Sequence, residues 1–597
     1  MICARCGGRT VAVLLLWVCL AAAPCSLPAA EPSDATTPGE LRSYATINSI
    51  GVEWDITGDA NHNAACTVRY KPQGAGEWKQ AMSLFRSDVC YQYGDNKSDR
   101  AYNMLAGSVM FLSPGTTYDV RLELSDPDGG REVRDLKVST RPEPRLPEGG
   151  RTLHVAPGSG DGPSRASGSN DDGSEKRPFR GLEAAQAAAG PGDRILLHKG
   201  DYGEFAFSRP GAAGKPIVWM AAGDGDAVLR RATVGASHVW LEGLAFERGE
   251  ASENGLTADG AAEGIIIRRC RFTGYHYSIT LKPACRDWYI ADNVIVGDKK
   301  DASVSEMSGE GVELNHSSGH VVAHNRISRV ADGISYAHRN CDIFGNDIRD
   351  VTDDGIEPDY GYSNIRIWGN RIHGAFNHAF SFQPQFAGPW YIVRNEMSSR
   401  RQVLKPNMAD RFVLVANTLI GFGPYAQGRA DLLMKSFSRN NLWILLPQEG
   451  GGDKQVGIWS GGARKGGPYE MPPQVQADWR TDVDYDGFDW GDAPAAFVWP
   501  VPGGRPSQFR DIASFAAAVG IERHGIRVRR GEVFEVADVR AYTEEPFSAR
   551  RLTLRAGCNA IDAGQAVPNI CEDFAGKAPD LGAHEFGRPP AVYGPRP

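Results

Sequence analysis

Residues 353–405 decide the fold. The stretch opens Asp353-Asp354-Gly355-Ile356-Glu357-Pro358-Asp359-Tyr360 and closes on Lys405. Around it one grammar recurs: a short strand carrying polar residues, a bend, a β-branched strand, then an asparagine. The segments read GVELNHSSGHVVAHN (311–325), GISYAHRNCDIFGN (333–346), GIEPDYGYSNIRIWGN (355–370), AFSFQPQFAGPWYIVRN (379–395) and VLKPNMADRFVLVAN (403–417). The closing residues Asn293, Asn325, Asn346, Asn370, Asn395, Asn417 and Asn441 are separated by 32, 21, 24, 25, 22 and 24 positions. A period of twenty-odd residues with strand composition and no helical periodicity predicts a solenoid of β-coils. Its coils pair in parallel, with adjacent strands about 4.8 Å apart.

A chain of 597 residues is too long for one compact core. Its 70 glycines and 37 prolines suit many tight corners. Arg5 and Arg9, an apolar run from Val11 to Ala23 and the small residues at Ala29-Ala30 form the pattern of a cleaved signal peptide over residues 1–30. Pro24 before Cys25 disfavours a lipoprotein signal, and no later stretch is long and apolar enough to span a membrane. The expected location is secreted or periplasmic. Cleavage would move the net charge from −8 to −10, which disfavours a nucleic-acid partner. Of the 11 cysteines, Cys66, Cys90, Cys270, Cys285, Cys341, Cys558 and Cys571 lie beyond the signal. Export permits disulfides, with Cys66–Cys90 and Cys558–Cys571 as the pairs to test and at least one thiol left free.

Residues 41–142 alternate as short strands, including Val52-Glu53-Trp54-Asp55-Ile56 and Thr67-Val68-Arg69-Tyr70. With Trp54, Tyr70 and the corner Leu112-Ser113-Pro114-Gly115-Thr116-Thr117-Tyr118, this stretch resembles a fibronectin type III module. The resemblance implies a β-sandwich used for spacing or binding. After a linker at 141–150, a strand at Arg151–Ala156, an alanine-rich helix over Phe179–Ala189, Gly190-Pro191-Gly192-Asp193 and a strand at Arg194–Tyr202 follow. This order resembles the start of secreted right-handed parallel β-helix proteins of the pectin-lyase-like superfamily, and Ala583-His584-Glu585-Phe586-Gly587 resembles their C-terminal finish. The resemblance implies an all-β fold over 151–446 with an N-terminal capping helix, and an asparagine column that hydrogen-bonds along the coil axis. Residues 447–597 are read as an excursion with a helix over Ser507–Val519, last coils and a cap.

Counting back from each asparagine places Thr280, Glu313, Ser335, Glu357, Ser381 and Lys405 in one outward column. Two residues on, Lys282, Asn315, Ala337, Asp359, Gln383 and Asn407 form a second. His316, His338, Arg339, Tyr360 and His378 flank them. A linear titratable strip of this kind suits an extended polysaccharide bound by Glu313, Asn315, His316, Arg339, Tyr360, His378, Gln383, Asn407 and Lys282. Two chemistries compete. Glu357 and Asp359, with Cα atoms about 6.6–7 Å apart along one strand, would be the acid and base of an inverting glycosidase, whose carboxyl groups stand about 6.5–9.5 Å apart. Alternatively, Asn315, Glu357 and Asp359 would hold Ca²⁺, with Lys405 or His338 as the base for β-elimination on a uronic-acid polymer. Glu357-Pro358-Asp359 resembles the acidic pair of calcium-dependent β-helix lyases of the alginate and chondroitin type, and Asp353-Asp354 echoes polygalacturonase-like hydrolases. Asp353 and Asp354 at the bend would supply a further catalytic carboxylate or cap the turn, with Asp354 taken as the catalytic candidate and the turn favoured for Asp353. Hydrolysis is the first choice, elimination the second, and a non-catalytic glycan-binding or adhesion solenoid the third. The expected state is a monomer.

Overall fold

A computed structural model describes residues 33–87, 103–158, 171–250, 252–382, 385–406, 411–421, 436–446, 482–493, 495–499 and 507–597. Three parallel sheets of 14, 13 and 9 strands run the length of the molecule. Their strands succeed one another coil by coil, the arrangement of a parallel β-helix. The 14-stranded sheet begins at Phe179–Arg180, which pairs with Thr152–Ala156, and ends at Asp482–Val483.

Isoleucine, valine and phenylalanine from all three sheets fill the interior, and most are fully enclosed. The helix spans Leu182–Ala188, a turn shorter than the alanine-rich run, and sets Leu182 and Ala185 on the first coil. The asparagine column is continuous. The side-chain amide of Asn293 donates to Asn325, and the pattern repeats through Asn346, Asn370, Asn395 and Asn417 to Asn441 at 2.9–3.0 Å. Each amide also donates to a buried backbone carbonyl, such as Ile343 O for Asn370 (2.9 Å). No lone pair or N–H is left to desolvate alone, so the column holds one bend of every coil. It ends on Asp486, which accepts from the Asn441 amide at 3.0 Å.

Asp482–Val483 and Gly487–Asp489 pair onto the last coil instead of departing from it. The helix expected over Ser507–Val519 is a strand, Ser507–Phe509, followed by a helix at Ile512–Val519 capped by Asp511. Phe515 of that helix stacks on Phe497 (4.4 Å between centroids) and closes the core. The final residues return along the solenoid: Ala583 N–H donates to Thr418, Gly594 N–H to Gly345 O, and Arg596 pairs with Asp292.

The N-terminal strands form two four-stranded antiparallel sheets around Trp54, Tyr70 and Tyr118. The Tyr118 hydroxyl accepts from Ser113 N–H at 2.9 Å. This unit packs against the solenoid wall. Ser108 N–H donates to the Tyr391 hydroxyl (2.8 Å), Asn364 donates to Val52 O (3.2 Å), and Glu53 pairs with Arg339 (3.0 Å) and with Ser363. Gly51 comes so close to the wall that a Cβ there would stand 2.8 Å from the Asn340 carboxamide oxygen.

Cys66, Cys270, Cys285, Cys341, Cys558 and Cys571 are free thiols, so Cys558–Cys571 is not a disulfide here; Cys90 lies outside the described residues. Among the described residues no helix is long and apolar enough to cross a membrane.

Candidate functional site

The nine-stranded sheet carries the site. Its register pairs Thr280 with Glu313, Glu313 with Ser335, Ser335 with Glu357, and Ser381 with Lys405. The column counted from the asparagines is therefore a physical row across adjacent strands. A second row stands three residues before it. Glu310 pairs with Asp332, and Asp354 with His378, while the Asp354 N–H donates to Asp332 (2.8 Å).

Strict alternation would put the two rows on opposite faces. The sequences Glu310-Gly311-Val312-Glu313, Asp332-Gly333-Ile334-Ser335 and Asp354-Gly355-Ile356-Glu357 break it. In each, the apolar residue fills the core. A Cβ on Gly311, Gly333 or Gly355 would lie 2.7, 2.9 or 2.4 Å from a methyl of Ile327, Ile348 or Ile372. Two consecutive positions thus face inward, and the acid before them is free to turn outward with the polar residue after them. Glu310 reaches Ser335 Oγ at 2.8 Å, and Lys405 Nζ reaches Asp354 Oδ2 at 2.6 Å.

The outcome is a dense acidic cluster. Carboxylate oxygens of Asp332, Asp353 and Asp354 lie within 4.8 Å of one another. His378 Nδ1 is 2.8 Å from Asp354 Oδ1, and the Asn377 amide donates to Asp353 (2.7 Å). Burial and then the neighbouring acids raise Glu310 to about 8. Burial and then Asp354 raise Asp353 to about 6. Asp332 is pushed well above its usual range by burial and by Glu310. Burial also works to raise Asp354, but Lys405 and His378 overcome it and hold the group at about 2. Lys405 loses some basicity to burial and regains more from Asp354, Asp359 and Glu357, so it is held as an ammonium.

All the convergent donors are hard carboxylate oxygens, the type that Ca²⁺ accepts at about 2.3–2.6 Å. Their mutual repulsion is what a divalent cation would relieve. The residues fit calcium, but they are not the three expected from sequence. Asn315 sits in a left-handed turn and spends its amide on Leu281 O at 3.1 Å, away from the cluster. Glu357 and Asp359 hydrogen-bond to each other through their carboxyl groups, which together with burial raises Glu357 well above its usual range. Ser381 also donates to Asp359 (3.0 Å). Two carboxyls in contact stand closer than the separation of about 6.5–9.5 Å expected of an inverting pair.

The remaining candidates fall into two groups. Glu313 lies in the row, with Thr280 and Lys282 acting on its carboxyl. His316 packs against Tyr336 and Tyr360 (5.2 and 5.6 Å), and these rings wall the row on its far side. His338 packs under Tyr362 (4.1 Å), and burial lowers it to about 3. It is a neutral ring in the turn, not a base beside the carboxylates. Arg339 turns to Glu53 of the N-terminal unit, with its guanidinium over Tyr362, and does not face the row. Gln383 and Asn407 lie outside the described residues. Glu310, Asp332 and Asn377 were not singled out from sequence, and for Asp353 a turn was favoured over a site carboxylate. The recurring acid-Gly-Val/Ile unit was the available signal.

No curated protein matches the chain. A family model described as right handed beta helix region matches residues 254–400, the stretch that supplies Glu310 to His378, and the fold built by the three parallel sheets is a right-handed parallel β-helix.

Proposed function

We propose that this protein is an exported, calcium-assisted polysaccharide lyase that cleaves a uronic-acid polymer by β-elimination. The reading rests on one observation: Lys405 Nζ sits 2.6 Å from Asp354, beside the converging oxygens of Asp332, Asp353 and Asp354. Elimination needs a base near the proton α to a carboxylate and positive charge on that carboxylate. Lys405 is the base. Asp332, Asp353 and Asp354 would hold the cation, and calcium, when bound, supplies positive charge that neutralises the uronate carboxylate and acidifies the neighbouring carbon.

Lys405 is held as an ammonium by the acids around it; once a bound cation offsets those acids, it would release that proton to solvent and, as the free amine, take the C5 proton. The C–H electron pair forms the C4=C5 double bond, the C4–O bond breaks, and the departing oxygen takes a proton from solvent. His378 orients Asp354, which in turn fixes Lys405. Ser335 and Ser381 in the row spend their hydroxyls on Glu310 and Asp359 and so position those acids, and the rings of Tyr336 and Tyr360 limit access of water. The signal-peptide pattern at the N-terminus supports export, and the linear row supports a polymeric substrate.

The test is a panel of uronate and neutral glycans incubated with and without chelator. The expected result is an ultraviolet-absorbing unsaturated product from a uronate polymer, abolished by chelator and restored by Ca²⁺. Reducing ends without unsaturation would establish hydrolysis instead.

A further inference from the structure

The coil between Asn293 and Asn325 is longer than the others because residues 298–309 arch out before the strand Glu310–Glu313. The arch leans over the turns of later coils. Thr352 Oγ1 donates to Glu306 O (2.6 Å), and the Asn377 amide donates to Ser305 Oγ (2.9 Å) as well as to Asp353. Beyond it lies the turn that leads into Leu404–Pro406. There Arg400 N–H donates to Ala375 O (2.8 Å), and the Arg401 guanidinium stacks on Phe376, 4.8 Å from the ring centre. Phe376 immediately precedes Asn377 and His378 of the acidic site. Ser303 holds Asp301 of the arch below its usual range, with Arg400 adding to that field.

Both arginines are exposed, and among the described residues neither is ion-paired with a carboxylate. The cations acting on Asp353 and Asp354 are Lys405 and His378, so the two guanidiniums stand outside the cluster, on its rim. Arg401 is four residues from Lys405, a chain distance of at most roughly 14 Å, which a few sugar rings would bridge. A guanidinium presents a planar fork that matches a carboxylate, and stacking on an aromatic ring fixes its orientation in advance.

We infer that Arg400 and Arg401 bind the carboxylate of a uronate neighbouring the one that reacts, so the protein selects runs of consecutive free-acid uronates over esterified ones. This rests on the lyase reading for the identity of the reacting sugar, but it is tested by binding alone. The experiment measures binding of wild-type, R400A/R401A and R400K/R401K protein to polygalacturonate and polymannuronate, each as free acid and as methyl ester, over a range of salt. Wild type should prefer a free acid. R400A/R401A should bind it about tenfold more weakly per lost ion pair, and the slope of log affinity against log salt should fall by roughly one per arginine. Binding of the ester should not change, and R400K/R401K should recover the salt slope but only part of the affinity. Unchanged affinity in folded R400A/R401A, or no preference of wild type for free acid, would overturn the inference. Binding with the expected arginine dependence but no unsaturated product would leave it standing and sink the lyase reading instead.

Discussion

The Lys405 ammonium lies 2.6 Å from Asp354 Oδ2, across two coils and 51 residues of chain. The same carboxylate meets His378 through its other oxygen. A lysine locked this way is an acid's partner, not a base, until other positive charge satisfies the cluster. Lys405→Ala should therefore lower kcat by about 10²–10⁴-fold, the range for loss of a general base, with KM little changed. Initial rates of unsaturated-product formation at saturating calcium check this. A loss confined to KM would assign Lys405 to substrate binding.

Asp332, Asp353 and Asp354 gather three carboxylates in one buried place. Relieving that repulsion by removing one charge should help the metal-free fold while harming metal binding. Asp332→Asn is expected to raise the melting temperature in chelator by a few degrees, on the order of 1 kcal/mol, and to shrink the further rise that Ca²⁺ gives wild type. Thermal unfolding with and without Ca²⁺ reads both. If Asp332→Asn lowers stability in chelator and keeps the full calcium increment, the triad is a hydrogen-bonded structural cluster.

The asparagine column and the row from Thr280 to Lys405 were legible because both follow from one count: a fixed offset from a repeated bend. The acids that converge were not. Period-two alternation puts Glu310 and Asp332 on the inward face, and only the packing of Gly311 and Gly333 against isoleucine methyls turns them outward. The spacing between Glu357 and Asp359 was misjudged for a related reason. Cα separation along a strand sets no lower limit on how closely two flexible carboxyls approach. Arg339 was placed in the groove because nothing in the repeat announces that Glu53, nearly 300 residues earlier, comes to meet it.

Asn370 donates to Ile343 O and to Asn395, and its oxygen accepts from Asn346 N–H, all without exposure to water. Asn370→Leu removes these partners while filling the volume. Each stranded buried group costs about 1–3 kcal/mol, so the variant should lose several kcal/mol or fail to fold. Denaturant unfolding of Asn370→Leu beside the more conservative Asn370→Asp measures it. A loss under about 1 kcal/mol would mean that the column is dispensable.

His320 is fully buried, with Nδ1 accepting from Trp288 N–H (3.1 Å) and Nε2 meeting Ser317 Oγ (2.8 Å). Burial lowers its pKa to about 3, with Arg141 adding to the effect. A histidine whose folded pKa is depressed contributes stability that is present above its unfolded value of about 6.5 and is lost as pH falls toward the folded value. His320 should thus steepen acid unfolding by up to about 1.4 kcal/mol per pH unit between roughly pH 6.5 and 3. His320→Gln, which keeps an acceptor for Trp288, should flatten that slope even if it lowers stability at neutral pH. An unchanged slope would show that protonation at this position is not resisted by the fold.

Glu53 of the N-terminal unit meets Arg339 at 3.0 Å, and Arg339 lies over Tyr362, which packs on His338 and Phe386. Tyr360 touches Phe386 in turn (5.8 Å) and follows Asp359 of the site. The sequence suggested a spacer or binding arm, but this contact makes the N-terminal sheets a brace for the aromatic wall. Removing one partner of an enclosed ion pair costs about 3–5 kcal/mol when the other is fully buried; the partial exposure of Arg339 puts Glu53→Ala below that, at about 1–3 kcal/mol. The whole chain should unfold in one transition, not two. Calorimetry of wild type and Glu53→Ala tests both statements. A separate early transition that Glu53→Ala leaves unmoved would make the N-terminal unit an independent domain after all.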